Sequence, residues 1–201
     1  MDTPAESIES RREREVPTLY VMVGLPAAGK TFRAKEIERS VGALRLTPDE
    51  WMLPLFETLV DMEHRDILEG RFIWLARSSL QLGVNVILDL GVWSRNERSA
   101  LKYLAAESGA RFELVYLDAG EESQRQNRDL RESAAPHTTI PLSDEMLAEY
   151  RSRFEVPGQD ELTGAANDSP PAGFATWTDW MAERWPTSFA IENASTPTKD
   201  A

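Results

Sequence analysis

Cysteine is absent from these 201 residues. Disulfides, thiolate zinc sites and a cysteine nucleophile are therefore excluded. Long apolar runs are missing too: no stretch approaches the roughly 20 residues that a membrane-crossing helix needs. The opening "MDTPAESIESRREREVP" lacks the apolar core of a secretion signal. A cytoplasmic setting without membrane contact is the expectation. Positive charge is in deficit, with 22 Lys and Arg against 34 Asp and Glu, a net charge of −12 at pH 7. Wide nucleic-acid binding needs an electropositive face, so nucleic acid is not an expected partner, although a local basic patch is still compatible with this total. Histidine is scarce. His64 and His137 fall on a helix start and in a loop, and neither has an identifiable partner.

Against these absences stands one dense stretch, "GLPAAGKT", directly after the apolar run "TLYVMV". Its spacing is G-x-x-x-x-G-K-T. A glycine-rich turn between a buried strand and a helix points successive backbone N–H groups at one spot, at the positive end of the helix dipole. Lys30 can then reach β- and γ-phosphates, and the Thr31 hydroxyl can ligate Mg²⁺. Gly24, Leu25, Pro26, Ala27, Ala28, Gly29, Lys30, Thr31 and Phe32 are thus the expected nucleotide-binding residues, with ATP and Mg²⁺ as cofactors.

The rest of the chain alternates strands and helices. "TLYVMV" (18–23) is continuously apolar, as in a central parallel strand covered on both faces. A helix from Thr31 to about Ser40 follows, then the strands 43–47, 84–91 and 111–118. An amphipathic helix is expected over 64–82, with Ile67, Leu68, Phe72, Leu75 and Leu82 at helical spacing. "SRNE" has capping-box spacing, with Ser94 as N-cap and Glu97 three residues on, opening a helix to about Ser108. The Arg-rich "EESQRQNRDLRES" and the segment Ser143 to Phe154 read as two more helices. "TGAANDSPPAG" reads as a linker. Trp177, Trp180, Met181 and Trp185 form a stripe that docks on the core, and "TSFAI" has the composition of a last short strand. Alternation of this kind implies an α/β fold with a mostly parallel sheet, helices on both faces and a helical lid. The organisation expected is a flexible leader over 1–16, a nucleotide-binding domain over 17–160, and a linker, Trp-rich helix and disordered tail over 161–201.

Three further signals bear on the reaction. Asp89 ends the third strand, at the sheet edge where ligands of open α/β sheets bind, and can hold Mg²⁺ directly or through water. Residue 90 is Leu, whereas many ATP-hydrolysing motors place a glutamate there to activate water. Asp49 ends the second strand and can accept the proton of an attacking hydroxyl. Asp49 also suits an N-cap for "DEWMLPLF", and Glu50 is a weaker candidate base. Arg125, Arg128 and Arg131 recur every three residues on a helix after the fourth strand, where a lid would bring them to bound phosphates. Arg95 and Arg98 are secondary candidates for such contacts.

Taken in order, "GLPAAGKT", an aspartate after strand two, "ILD", "YLD" and the following arginine helix resemble the small P-loop kinases of the zeta-toxin, chloramphenicol-phosphotransferase and polynucleotide-kinase group. The resemblance covers about residues 18–160, including "RFEVPGQDE". It implies the three-layer P-loop NTPase fold, with Lys30, Asp49, Arg125 and Arg128 catalytic and Arg131 at the nucleotide. Thr31 and Asp89 then hold the metal. Many relatives have an arginine three residues after the aspartate; here that position is Met52. The function expected is transfer of the γ-phosphate of ATP to a hydroxyl of a small-molecule acceptor. A polynucleotide 5′-hydroxyl kinase and an ATP-binding regulatory module without efficient transfer are the alternatives.

Overall fold

A computed structural model describes residues 15–134 and 142–189. The expectations placed on residues 1–14, on His137 and on the chain after Phe189 lie outside the described residues. Four parallel strands, β1 (Thr18–Val23), β2 (Leu44–Leu46), β3 (Val86–Leu88) and β4 (Arg111–Tyr116), form one sheet in the order β2-β3-β1-β4. β1 pairs with β3 on one side and β4 on the other, which is why it is apolar along its whole length. β3 is shorter than the expected 84–91 and β4 shorter than 111–118. At the carboxyl edge each ladder closes with one further bond, Asp89 N–H to the Leu46 carbonyl at 3.0 Å and Leu117 N–H to the Val23 carbonyl at 2.9 Å.

Side chains alternate across β1. Met22 joins Ile87 and the α1 (Lys30–Val41) residues Ala34 and Ile37 on one face. Leu19, Val21 and Val23 face a larger cluster with α2 (Pro48–Phe56), α3 (Met62–Gln81) and α4 (Arg95–Glu107). The layers are α/β/α but unequal. The larger layer also takes Trp177, Met181 and Trp185 of the segment around α8 (Trp177–Arg184), all buried. Thr187 to Phe189 form no strand, unlike the expectation for "TSFAI". No helix among the described residues is long and apolar enough to cross a membrane.

Local sequence explains the helix starts. Ser94 Oγ accepts from the Glu97 N–H at 3.1 Å, and Glu97 returns a bond to the Ser94 N–H at 3.0 Å, a complete capping box. Thr47 rather than Asp49 is the N-cap of α2, and Pro48 occupies the first turn, where its missing N–H costs nothing. Two lid helices, α5 (Gly120–Ala134) and α6 (Asp144–Arg153), follow β4. The short α7 (Gln159–Leu162) begins the return of the chain across α4.

Candidate active site

The loop after β1 is shaped by its glycines. Gly24 has φ +146°, and a Cβ there would lie 2.5 Å from the Leu117 carbonyl oxygen. Gly29, left-handed at φ +91°, is the N-cap of α1. Neither a side-chain cap nor an acidic residue occupies the first turn of that helix, so its N–H groups stay open to an anion. Lys30 Nζ donates to the Gly24 and Leu25 carbonyl oxygens, both at 2.9 Å. Enclosure of the ammonium by the loop drives its pKa down to about 8, although Asp89 and Asp49 act the other way. Phe32, also expected at the nucleotide, is mostly exposed, at 72%.

Thr31 Oγ1 donates to Asp89 Oδ2 at 2.7 Å, and Thr47 Oγ1 stands 3.4 Å from the same oxygen. The Thr47 hydroxyl is thereby turned away from the helix it starts. Asp89 is buried, and desolvation raises its pKa, with the Thr31 hydrogen bond and the Lys30 charge opposing. A hydroxyl and a carboxylate beside a phosphate nest suit Mg²⁺, which takes few protein oxygens and completes its octahedron with water and phosphate. No cluster of three or more His, Cys, Asp or Glu capable of holding a metal occurs among the described residues.

Asp49 sits one residue inside α2. Its Oδ1 accepts from Arg65 Nη1 at 2.8 Å, and its Oδ2 is 3.8 Å from Arg131 Nη2. The carboxylate is thus aimed by α3 and approached by the lid. Lys30 feels the charges of Asp89, Asp49, Arg131 and Arg65 together, so these five groups converge. Glu50 is committed elsewhere, to Arg45 at 2.9 Å and Lys35 at 3.2 Å. Burial works against its ionisation, but those bonds outweigh it and hold the carboxyl below its usual range.

The lid arginines divide. Arg131 reaches the Asp49 side. Arg128 is held by Asp144 at 2.6 Å and Asp129 at 2.9 Å, and Arg125 lies 3.7 Å from both Glu121 and Asp144. Gln124 and Asn127, which the sequence reading passed over, grip the loop instead. Gln124 Nε2 donates to Pro26 O at 2.7 Å and Asn127 Nδ2 to Ala27 O at 3.0 Å. Residues 124, 127, 128 and 131 share one helical stripe, and that spacing of amides with arginines was the legible signal. Arg65 was missed as well; it stands four residues before Glu69, a polar pair interrupting an apolar helix face. Arg95 and Arg98, candidates for phosphate contact, are taken by the returning chain. Arg98 Nε bonds Glu161 at 2.6 Å in a buried pair, and Arg95 Nε bonds Asp168 at 2.9 Å. His64 packs on Asp61 at 2.7 Å, away from these groups.

Residues 19–157 match the family model described as "AAA domain". No curated protein matches the chain in sequence. Among solved structures, a chain of the Pnkp1/Rnl/Hen1 RNA repair complex aligns with TM-score 0.56 and 17% identity, over 77% of this chain and 47% of that one. This chain therefore spans about half the length of that relative. A sugar kinase from Janibacter sp. aligns with TM-score 0.50 and 17% identity, over 72% of this chain and 81% of its own. Kti12 from Chaetomium thermophilum, solved with ADP-AlF3, gives TM-score 0.54 and 17% identity, over 70% and 81%. At such identities the likeness is one of fold. The RNA repair chain leaves the expectation against nucleic acid without support. With its parallel sheet, phosphate loop and match over 19–157, the chain belongs to the AAA domain family and has the fold of a small, kinase-like P-loop NTPase.

Proposed function

We propose that the protein is an ATP-dependent phosphotransferase that moves the γ-phosphate to a hydroxyl of a small-molecule acceptor. The convergence of Lys30, Asp49, Arg65, Asp89 and Arg131 over the loop supports this reading. Loop N–H groups bind the phosphates. Lys30, drawn off the Gly24 and Leu25 carbonyls, neutralises charge on them together with Arg131. Thr31 and Asp89 would hold Mg²⁺ arriving with ATP, and the metal would supply further neutralisation of phosphate charge. Asp49 accepts the acceptor's hydroxyl proton and keeps its oxygen in line with the γ-phosphate. Arg125 and Arg128 order the lid through Asp144. A cleft of about 290 Å³ beside Leu25 and Ala28, walled by Tyr116, Phe154 and Val156, is the space for the base. Transfer to a small acceptor fits the chain's net charge of −12.

Incubating the protein with labelled Mg-ATP and a metabolite pool, read by mass spectrometry, tests the reading. A labelled, protein-dependent phosphorylated product is expected. Tight Mg-ATP binding with no product from any acceptor would instead identify a regulatory module. The fold it shares with the RNA repair chain keeps a polynucleotide end as the second reading. Micromolar, steeply salt-dependent binding of a 5′-hydroxyl oligonucleotide would favour it.

A further inference from the structure

Arg65 stands between two carboxylates on different helices. Its Nη1 donates to Asp49 Oδ1 at 2.8 Å, and its Nε donates to Glu69 Oε1 at 3.1 Å. The side chain is well buried, at 19% exposure, and Glu69 is more so, at 9%. An arginine held at both ends cannot swing, and its fork geometry fixes the plane of the carboxylate it bonds. Asp49 itself is more exposed, at 38%, and sits in the first turn of α2, where Arg65 is the partner of its Oδ1 among the described residues. The position one turn along α2, Met52, is fully buried in the core, so α2 itself supplies no arginine there. α3 supplies one.

We propose that Arg65 is a positioning residue for Asp49, anchored by Glu69, which holds Oδ1 so that Oδ2 is the oxygen presented to the acceptor. This rests on the phosphotransferase reading of the same site. Glu69 has no counterpart role in contacting nucleotide or acceptor; it acts through Arg65 alone. The groups facing Glu69 are Arg65 and Asp66 on α3, Arg184 on α8 and Glu97 on α4. Arg184 bonds Glu97 at 2.8 Å and lies 3.9 Å from Asp66, so its charge is held by those two groups beside the anchor. Burial raises the Glu69 pKa to about 7, with the charges of Arg65 and Arg184 opposing. The anchor is therefore an anion above pH 7 and neutral below it. Asp49 is held firmly on the alkaline side and loosely on the acid side.

The test uses the full chain with Mg-ATP, water serving as acceptor, and ADP release as the signal. Arg65→Gln is expected to lower kcat by about 10- to 100-fold, the scale on which small misplacements of reacting groups act. The Kd for Mg-ATP should stay within about threefold, because ground-state binding is untouched. Arg65→Lys should recover part of the loss. Glu69→Gln should lower kcat less and remove the acid limb expected of the wild type near pH 7. In an Asp49→Ala background, Arg65→Gln should have no further effect, since a residue acting through another adds nothing once that one is gone. Undiminished kcat in folded Arg65→Gln or Arg65→Lys, an unchanged pH profile in Glu69→Gln, or additivity with Asp49→Ala overturns the proposal and leaves the phosphotransferase reading standing. A wild type that turns over no ATP with water or any acceptor removes both. Should Arg65→Gln fail to fold, Arg65→Lys and the Glu69→Gln pH profile decide.

Discussion

Replacing Lys30 with methionine should abolish nucleotide binding and, in the absence of nucleotide, make the protein more stable. The ammonium is enclosed by the loop, and its pKa falls from the ordinary 10.5 to about 8. At about 1.4 kcal/mol per pH unit, keeping the charge there at neutral pH costs up to about 3 kcal/mol relative to the neutral amine. That ceiling must be discounted, because the residue is only partly buried and solvent screens the cost. Methionine also forfeits the bonds to the Gly24 and Leu25 carbonyls. A net gain of ~1–2 kcal/mol remains, which for a chain of this size raises Tm by about 2–8 °C. The pH dependence gives the sign an internal check. With a folded pKa below the unfolded one, wild-type stability rises as pH climbs from about 8 towards 10.5. The advantage of Lys30→Met must therefore shrink over that window. Thermal melts of both proteins at pH 7 and pH 10, with calorimetric titration of Mg-ATP, make the comparison. A variant that melts below wild type at pH 7, with a difference that does not change with pH, refutes the reasoning.

Asp49→Asn should leave Mg-ATP affinity within a few-fold and lower phosphoryl transfer by about 10²-fold or more; any fall in melting temperature should come from the weakened Arg65 pair and not from helix capping, because Thr47 and not Asp49 is the N-cap of α2. Arg98→Met should be strongly destabilising, by about 3–5 kcal/mol, since Glu161 and the Trp93 and Glu155 carbonyls would lose their buried partner; chemical denaturation reads this directly. Gly70→Ala, which in an exposed helix gains about 1 kcal/mol, should instead lower Tm by several degrees. A Cβ there collides with Thr187 Oγ1, and that hydroxyl is tied to the Ile67 carbonyl at 2.7 Å.

The parts of the site that follow one another in the chain were legible in the sequence. The phosphate loop is a local device: its glycines, its lysine and the helix after it are neighbours, so spacing alone carries the geometry. The Ser94–Glu97 box was legible for the same reason. Asp89 was legible because strand ends of a parallel sheet share one edge. Pairings between distant elements were not. Arg98 and Glu161 are 63 residues apart, and nothing in either local pattern says that a buried partner waits at the other. Arg65 was hidden by its setting, a polar residue on a helix whose apolar spacing already explained it. The lid shows the boundary most clearly. Its arginines were visible by period, but which of them turns inward depends on Asp144 of α6, which captures Arg128 and attracts Arg125, leaving Arg131 for the site.

The same pairings decide how a chain of net charge −12 can hold a polyanion. Local charge governs: around the loop, Lys30, Arg65 and Arg131 stand among Asp49 and Asp89, with Glu69 behind Arg65. Each site cation already has a partner: Lys30 two carbonyls, Arg65 two carboxylates, Arg131 the far oxygen of Asp49. Asp89 likewise holds the Thr31 hydroxyl where a metal would sit. Nucleotide binding is then an exchange of partners more than an addition of new ones. On the phosphotransferase reading proposed above, phosphate would draw Lys30 from its own loop, and Thr31 and Asp89 would give up their mutual bond to hold Mg²⁺. Arg65 has no such exchange to make on that reading, because both its partners are carboxylates of the protein itself. That asymmetry separates the groups proposed to bind ATP from the group proposed to aim Asp49, and it is why the two kinds of substitution should split cleanly between Kd and kcat.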